Sequence, residues 1–280
     1  MTFSIVAFDP EDKAWGVAVA SKFPAVGAVV PWARAGAGAV ATQSFANTSY
    51  GPRGLDLMMK GLSAQQALDK LLADDPEKDS RQVGLVDDQG RAASFTGPAC
   101  FAWAGGRVGP GYACQGNVLT GEQVVKELEH GFLETEGDLP TRLHAALLAA
   151  DRAGGDRRGR QSAALYVVKA GAGYAGFNYR WMDYRVDDHP DPVPRLGELI
   201  EMHRLYFGKS DEAQRVALTG EPLAEITNIL KRQGYLKDAT PFKDAFFAFI
   251  GNENFEERAD PAGQWIDAPV LEFLTRKFGN

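Results

Sequence analysis

The sequence predicts an α+β protein, two sheets packed together with helix pairs outside, followed by a small all-α domain. Three observations carry that expectation. Short apolar runs without polar alternation fill the first part of the chain, as strands buried on both faces require. The elements read strands, helix pair, strands, helix pair, strands, which is not the regular βα alternation of a doubly wound fold. Around residues 187–194 a Pro/Asp cluster changes the texture, and short amphipathic helices follow it. With 280 residues, 45% hydrophobic and 24% charged, the chain can bury a sizeable core and has the make-up of an ordinary soluble globular protein.

In chain order, residues 3–8 read as a strand, 9–13 as a turn and 15–21 as a second strand of Val and small residues. Residues 25–32 and 36–44 supply two further strand candidates. The latter is small enough (Gly36-Ala37-Gly38-Ala39-Val40-Ala41) for another backbone, a helix or a ligand to approach closely. A short helix is expected over 54–60. Ser63 caps the next, 64–73, where Ala67, Leu68, Leu71 and Leu72 form one apolar stripe. Residues 83–86 and 92–96 flank a hairpin loop at Asp88-Gln89-Gly90. Thr120-Gly121-Glu122-Gln123 fits a capping box opening a helix to 134, and a helix over 139–153 closes on Gly154-Gly155. Strands at 162–168 and 179–186 complete the second group. The Pro/Asp cluster is not expected to start a helix before Pro194, and an amphipathic helix follows over 195–207. The tail reads as three short helices, 223–233, 242–250 and 269–278. Phe242, Phe246, Phe249 and Ile250 share one face, as do Leu271, Leu274 and Phe278, whereas Phe273 falls off that stripe. The expected division is a large domain at 1–190, a connector helix at 191–210 and a helical domain at 211–280.

Several function classes are disfavoured. A net charge of −7 offers no basic face for nucleic acid. Two cysteines, Cys100 and Cys114, exclude a disulfide-stapled scaffold; two free thiols are expected, with a single bridge as the alternative. The N-terminal run has no basic n-region, long apolar stretch or cleavage site. No window approaches the ~20 apolar residues that span a bilayer, so a soluble cytoplasmic protein without a membrane partner is expected. His130, His144, His189 and His203 lie far apart without ligand spacing, so no metal is expected. Gly105-Gly106 and Gly109-Pro110-Gly111 lack the context of a nucleotide loop, and no Gly-x-Ser-x-Gly elbow exists. No cofactor is expected.

The second residue is more informative. Met1 precedes Thr2, a residue small enough for aminopeptidase removal of the methionine to expose it. A terminal threonine carries nucleophile and base together: its hydroxyl attacks and its α-amine takes the proton. An amine pKa of ~7.7–8.0 suits that work near neutrality. Many proteins start Met-Thr, so the weight comes from its place at the head of a buried strand whose partner ends Ser21-Lys22. Lys22 either tunes the nucleophile as a nearby cation or is a strand-end lysine reaching solvent, and the two readings stand level. Ser4 shares a face with Thr2 and could hydrogen-bond it or replace it; a plain strand serine is the alternative.

Thr2-Phe3-Ser4-Ile5-Val6-Ala7, Gly16-Val17-Ala18-Val19-Ala20-Ser21-Lys22, Val26-Gly27 and Ala39-Val40-Ala41-Thr42-Gln43 together resemble a bacterial family, domain of unknown function 1028. So do Tyr50-Gly51-Pro52-Arg53-Gly54-Leu55, Arg81-Gln82-Val83-Gly84, Gln115-Gly116-Asn117-Val118-Leu119 and the run from Gly154 to Ala163. The resemblance covers about residues 1–190. That family is similar to the N-terminal nucleophile (Ntn) hydrolases, whose fold is a four-layer αββα sandwich. The resemblance implies amide-bond hydrolysis or a close relative, with Thr2 as candidate nucleophile; the function expected is cofactor-free cleavage of an amide-type C–N bond in a small molecule, one bearing a carboxylate among the candidates. The resemblance supplies no substrate.

Other residues read as pocket walls. Asn117, ahead of a helix, either donates an amide N–H to an oxyanion or shapes the helix entry as a turn residue. Asp156, Arg157, Arg158 and Arg160 cluster before the strand at Ser162; one of these arginines could clamp a substrate carboxylate with Asp156 fixing the pair, a solvated loop being the alternative. Gln43 and Asn47 end the small-residue strand and are placed beside the same cleft. In the tail, Gly234-Tyr235, Asn254-Phe255-Glu256-Glu257-Arg258 and Trp265-Ile266-Asp267-Ala268-Pro269-Val270-Leu271 resemble a peptidoglycan-binding domain over roughly 211–280. Three roles stay open for it: binding a glycan or another ligand, holding a homo-oligomer together, or covering part of the hydrolase. The rival to an enzyme is a non-catalytic protein of the same fold that recognises glycan fragments through this tail, and fold does not decide between them.

Overall fold

The computed structural model describes residues 2–279. Met1, whose removal the nucleophile reading requires, lies outside the described residues. The chain forms two compact units that divide after Ile200. The first holds β1 (Thr2–Asp9), β2 (Ala14–Ser21), β3 (Pro31–Arg34), β4 (Gly38–Ser44), α1 (Tyr50–Met59), α2 (Ala64–Ala73), β5 (Arg81–Asp87) and β6 (Ala92–Thr96). Then come β7 (Gly105–Gly109), β8 (Tyr112–Asn117), α3 (Gln123–Glu134), α4 (Leu139–Arg152), β9 (Ser162–Lys169) and β10 (Arg180–Val186). α5 (Pro192–Phe207) contains the division point.

Two antiparallel sheets result: six strands in the order β10-β9-β2-β1-β8-β7, and four in the order β3-β4-β5-β6. Alternation along each strand sorts the side chains into layers. Phe3, Ile5, Ala18, Cys114 and Leu165 pack under α3 and α4 with Leu128, Leu143 and Leu147. Val6, Val17, Val19, Ala39, Ala41 and Val86 fill the space between the sheets. Val40, Val83 and Leu85 meet α1 and α2 through Leu55, Leu68 and Leu71. Each sheet is therefore covered by a helix pair on one face and by the other sheet on its second. α4 comes close to β2 at Gly16, where an added Cβ would stand 2.5 Å from Leu143 Cδ1. Ser63 caps α2 as expected, with Gln66 completing the capping box, a motif worth ~1 kcal/mol.

Local departures have local reasons. Residues 26–28 form a 3₁₀ turn rather than a strand, and pairing starts only at Pro31. Thr120 does not cap α3: the helix starts at Gln123 with Glu122 at its cap and no side-chain bond. Glycine-rich β7 and β8 form a hairpin, with Gly111 at φ 82° in its turn, two strands that the sequence reading did not include. Asn117 consequently ends a strand and is not a helix-entry turn. α5 begins at Pro192, because proline's missing N–H costs nothing in the first helical turn.

The second unit contains β11 (Arg215–Ala217), α6 (Gly220–Arg232), α7 (Phe242–Asn252), β12 (Trp265–Asp267) and α8 (Ala268–Phe278). It is helical with a two-stranded ribbon, β11 against β12, that the all-α expectation omitted. Its core joins Ile226, Ile229, Phe246, Phe249, Phe255 and Leu274, and Phe273 is partly buried against it. Beneath lies a buried ion pair, Arg258 Nε donating to Asp267 Oδ2 at 2.6 Å. Arg258 also donates to the Arg204 and Leu205 carbonyls, both at 2.9 Å.

Candidate functional site

The layer between the sheets is apolar at one end and polar at the other. Thr2 pairs with Asn117 and Ser4 with Gln115 across β1–β8. Directly opposed residues share a face, and Val6 and Ala113, next in the same alternation, lie in the inter-sheet core. Thr2, Ser4, Gln115 and Asn117 therefore face the second sheet, which answers with Gln43 on β4 and Gln82 on β5. Every one of these side chains is buried.

They form a directed hydrogen-bond chain. Gln115 Nε2 donates to Ser4 Oγ at 2.7 Å, and Ser4 Oγ donates to Gln43 Oε1 at 2.7 Å. Gln43 Nε2 and Asn117 Nδ2 both donate to Gln82 Oε1 at 2.8 Å. Gln82 Nε2 passes on to the Gly116 carbonyl at 2.7 Å and to Thr96 Oγ1 at 2.9 Å. Gln43 Nε2 also lies 3.4 Å from the Thr2 carbonyl. Buried amides without partners are costly, so this chain fixes the spacing of the sheets just where Thr2 begins. Gln115 Oε1 is unpartnered among the described residues and lies over Gly84, where a Cβ would stand 2.1 Å from it.

Thr2 opens onto a cleft of about 400 Å3. Its polar lining is Thr2, Gln43, Ser44 and Arg81, and its apolar lining is Phe23, Val26, Val29, Val30, Phe45 and Ala46. The Thr2 hydroxyl stands 3.1 Å from Ser21 Oγ. Ser162, across β2–β9 from Ser21, donates to the Phe23 carbonyl and accepts from the Val26 N–H, holding one wall in place. Ser44, at φ 71°, turns the chain out of β4 into the opposite wall.

That wall is tied down by a buried carboxylate. Asp75 accepts from Arg81 Nε at 3.0 Å, Asn47 Nδ2 at 3.0 Å and the Tyr50 hydroxyl at 2.8 Å. Arg81 Nη1 donates to the Phe45 carbonyl at 2.7 Å and Nη2 to Glu77 at 2.6 Å. The hydrogen bond from Arg81, aided by those of Asn47, Glu77 and Tyr50, holds the Asp75 carboxyl well below the usual carboxylate range. Burial, then Asp75, pushes the Tyr50 hydroxyl up.

The residues singled out from the sequence divide accordingly. Thr2 and Gln43 line the cleft, and Ser4 and Asn117 lie in the buried chain beside it. Lys22 is exposed; its backbone N–H donates to Asp156 Oδ2 at 2.9 Å. Asp156 is paired with Arg158 Nη2 at 2.8 Å, while Arg157 is exposed. Arg160 pairs with Asp151 at 2.8 Å and Asp191 at 3.0 Å. Asn47, Asp156, Arg157 and Arg160 do not line the cleft. Sequence reasoning passed over Ser21, Arg81, Gln82, Gln115 and Asp75. A signal existed for the glutamines: Gln82-x-Gly84 and Gln115-x-Asn117 set polar residues at alternate positions in strands, the spacing that puts them on one face.

Residues 2–196 match the model of the Family of unknown function (DUF1028). The chain belongs to that family. Residues 206–274 match a second family, described as "Putative peptidoglycan binding domain". Among solved structures, this DUF1028 chain is similar to protein SPO2555 from Silicibacter pomeroyi, of the same family, at 29% identity and a TM-score of 0.66. That match covers 72% of this chain and 89% of the other. Anbu (ancestral beta-subunit) from Yersinia bercovieri is 14% identical over 72% of this chain and 96% of its own, with a TM-score of 0.33, too low to bear on fold or activity. No curated protein matches the chain. Among the described residues no helix is long and apolar enough to cross a membrane, and no cluster of three or more His, Cys, Asp or Glu could hold a metal.

Proposed function

We propose that the DUF1028 part of the chain is an Ntn-type amidohydrolase that cleaves an amide-type C–N bond in a small molecule. One observation carries the reading: Thr2, the residue able to act as nucleophile and base once it is N-terminal, opens a buried strand and lines the cleft. The two sheets, each covered by a helix pair, support an αββα, Ntn-like comparison. Thr2 Oγ1 attacks the amide carbon, and the freed α-amine takes its proton. Collapse of the tetrahedral intermediate expels the amine, which receives that proton, and water then hydrolyses the threonyl ester.

Asn117 retains one amide N–H beyond its bond to Gln82 and, with backbone N–H groups, is the proposed donor to the oxyanion. Lys22 tunes the site from the solvent side. Ser4 and Gln43 hold the Thr2 strand in place, Asn47 steadies the 44–49 wall, and Asp156 with its neighbours Arg157 and Arg160 shapes the approach. The working division remains a hydrolase at 1–190, a connector at 191–210 and a tail at 211–280. Turnover of a panel of small amides and ureido compounds by wild type and Thr2→Ala tests the reading. Loss of at least ~10³-fold in the variant is expected of a removed nucleophile; an unaltered rate refutes Thr2 in that role and moves it elsewhere, with Ser4 next in line.

The match over 206–274 favours a second reading for the tail, recognition of peptidoglycan-like glycan fragments. Co-sedimentation with purified cell wall, with and without residues 211–280, tests it; equal retention of both forms refutes it.

A further inference from the structure

The cleft also has a chemical character that bears on what it admits. Six of its ten lining residues are apolar: Phe23 and the three valines follow β2 in the chain, and Phe45 and Ala46 follow β4. Phe23 and Phe45 are 48% and 57% exposed at the mouth, and Phe101, 58% exposed, stands beside Phe45 with ring centroids 6.1 Å apart. Arg81 is the one charged side chain in the lining among the described residues. Its charge is already met by Asp75 and Glu77, so the three together carry a net charge of about −1 rather than a free positive charge. Four of its five N–H groups are accounted for by Asp75, Glu77 and the Phe45 carbonyl. The other arginines considered as carboxylate clamps stand outside the cleft, and Arg160 is held by two aspartates.

A carboxylate drawn into such a space would lose water without gaining a side-chain counter-charge, which is unfavourable, and the Thr2 α-amine must be uncharged to act as base. An uncharged apolar group would lose water favourably. The volume suffices: a cavity of ~150 Å3 takes a benzene-sized ring, and about 400 Å3 leaves room for an amide beside it.

From this we infer that the substrate is a neutral amide carrying an apolar, ring-sized group: the ring packs between the Phe23 and Phe45 walls, and the amide carbonyl lies over Thr2. The inference rests on the proposed hydrolase for its orientation, but binding tests it without turnover. Ligand-detected NMR titrations would compare acetamide with phenylacetamide, and N-phenylacetylglycinamide with N-phenylacetylglycine. Phenylacetamide is expected to bind at least tenfold more tightly than acetamide, and the neutral glycinamide at least tenfold more tightly than its carboxylate twin. Phe45→Ala, a change at an exposed side chain, is expected to weaken the phenyl compounds about tenfold and leave acetamide unmoved. Ala46→Lys is expected to reverse the preference toward the carboxylate. Equal or tighter binding of the carboxylate by wild type, no gain from the ring, or no binding of any of the four overturns the inference. Thr2→Ala separates the two claims: retained binding with retained turnover would sink Thr2 as the nucleophile and leave the ligand class standing.

Discussion

Gln82→Leu removes the amide on which the buried chain converges while keeping a side chain of similar size. Two donors, Gln43 Nε2 and Asn117 Nδ2, lose an acceptor at 2.8 Å, and the Gly116 carbonyl loses a donor at 2.7 Å. Gln43 keeps its 3.4 Å contacts to the Thr2 and Gln115 carbonyls, so the larger share falls on Asn117 and Gly116. Leaving a buried polar group unpaired costs ~1–3 kcal/mol; with the apolar gain of leucine offset against it, the expected loss is about 3 kcal/mol. For a unit of about 200 residues this lowers the melting temperature by ~6–12 °C. Calorimetry alongside urea unfolding measures it, with Thr96→Val as the comparison. That change removes one of Gln82's acceptors and should cost under ~1 kcal/mol. A Gln82→Leu loss within ~0.5 kcal/mol of zero, or no larger than that of Thr96→Val, refutes the idea that the chain fixes the sheets around Thr2.

Two further outcomes follow from other buried charges. Asp75 has a depressed folded pKa, so the stability it contributes is fully present above its unfolded pKa of ~3.9. That contribution is lost as pH falls through the folded value. The stability gap between wild type and Asp75→Asn should therefore be constant near neutrality and close only below about pH 4; a gap that narrows between pH 5 and 8 contradicts the assignment. In the second unit, Arg258→Met strands Asp267, which is fully buried with Ser210 as its remaining side-chain partner at 2.8 Å. Loss of ~3–5 kcal/mol is expected, read as early melting of residues 201–280 in hydrogen exchange while residues 2–200 keep their protection.

Much of the first unit is legible in the chain because its strands carry their burial in their composition. Residues 3–8, 15–21 and 162–168 are apolar on both faces, and Ser63 with Gln66 spells its own cap. The hairpin of β7 and β8 is not legible in that way. Its glycines weaken strand propensity and serve close approach: a Cβ at Gly109 would stand 2.3 Å from the Tyr112 ring, and one at Gly116 2.5 Å from Leu119. Once Asn117 is read as a turn residue, its alternation with Gln115 is hidden, and with it the polar end of the inter-sheet layer. Thr2 could be singled out from chemistry that belongs to one residue. Arg81, Asp75 and Ser21 could not, since their importance comes from partners that only tertiary structure brings near. The arginines at 157 and 160 drew attention as a local charge cluster, but the folded loop gives Arg160 to Asp151 and Asp191 and Asp156 to Arg158.

Whether Thr2 is the acylated nucleophile is tested by peptide mass mapping after exposure to a small apolar β-lactone. Attack by the hydroxyl opens the lactone, so the adduct equals the reagent's full mass with no leaving group. The expected N-terminal peptide begins at Thr2, carries one adduct on that residue in wild type and carries none in Thr2→Ala. An N-terminal peptide that still bears Met1 throughout, or an adduct that forms equally in Thr2→Ala, would contradict it.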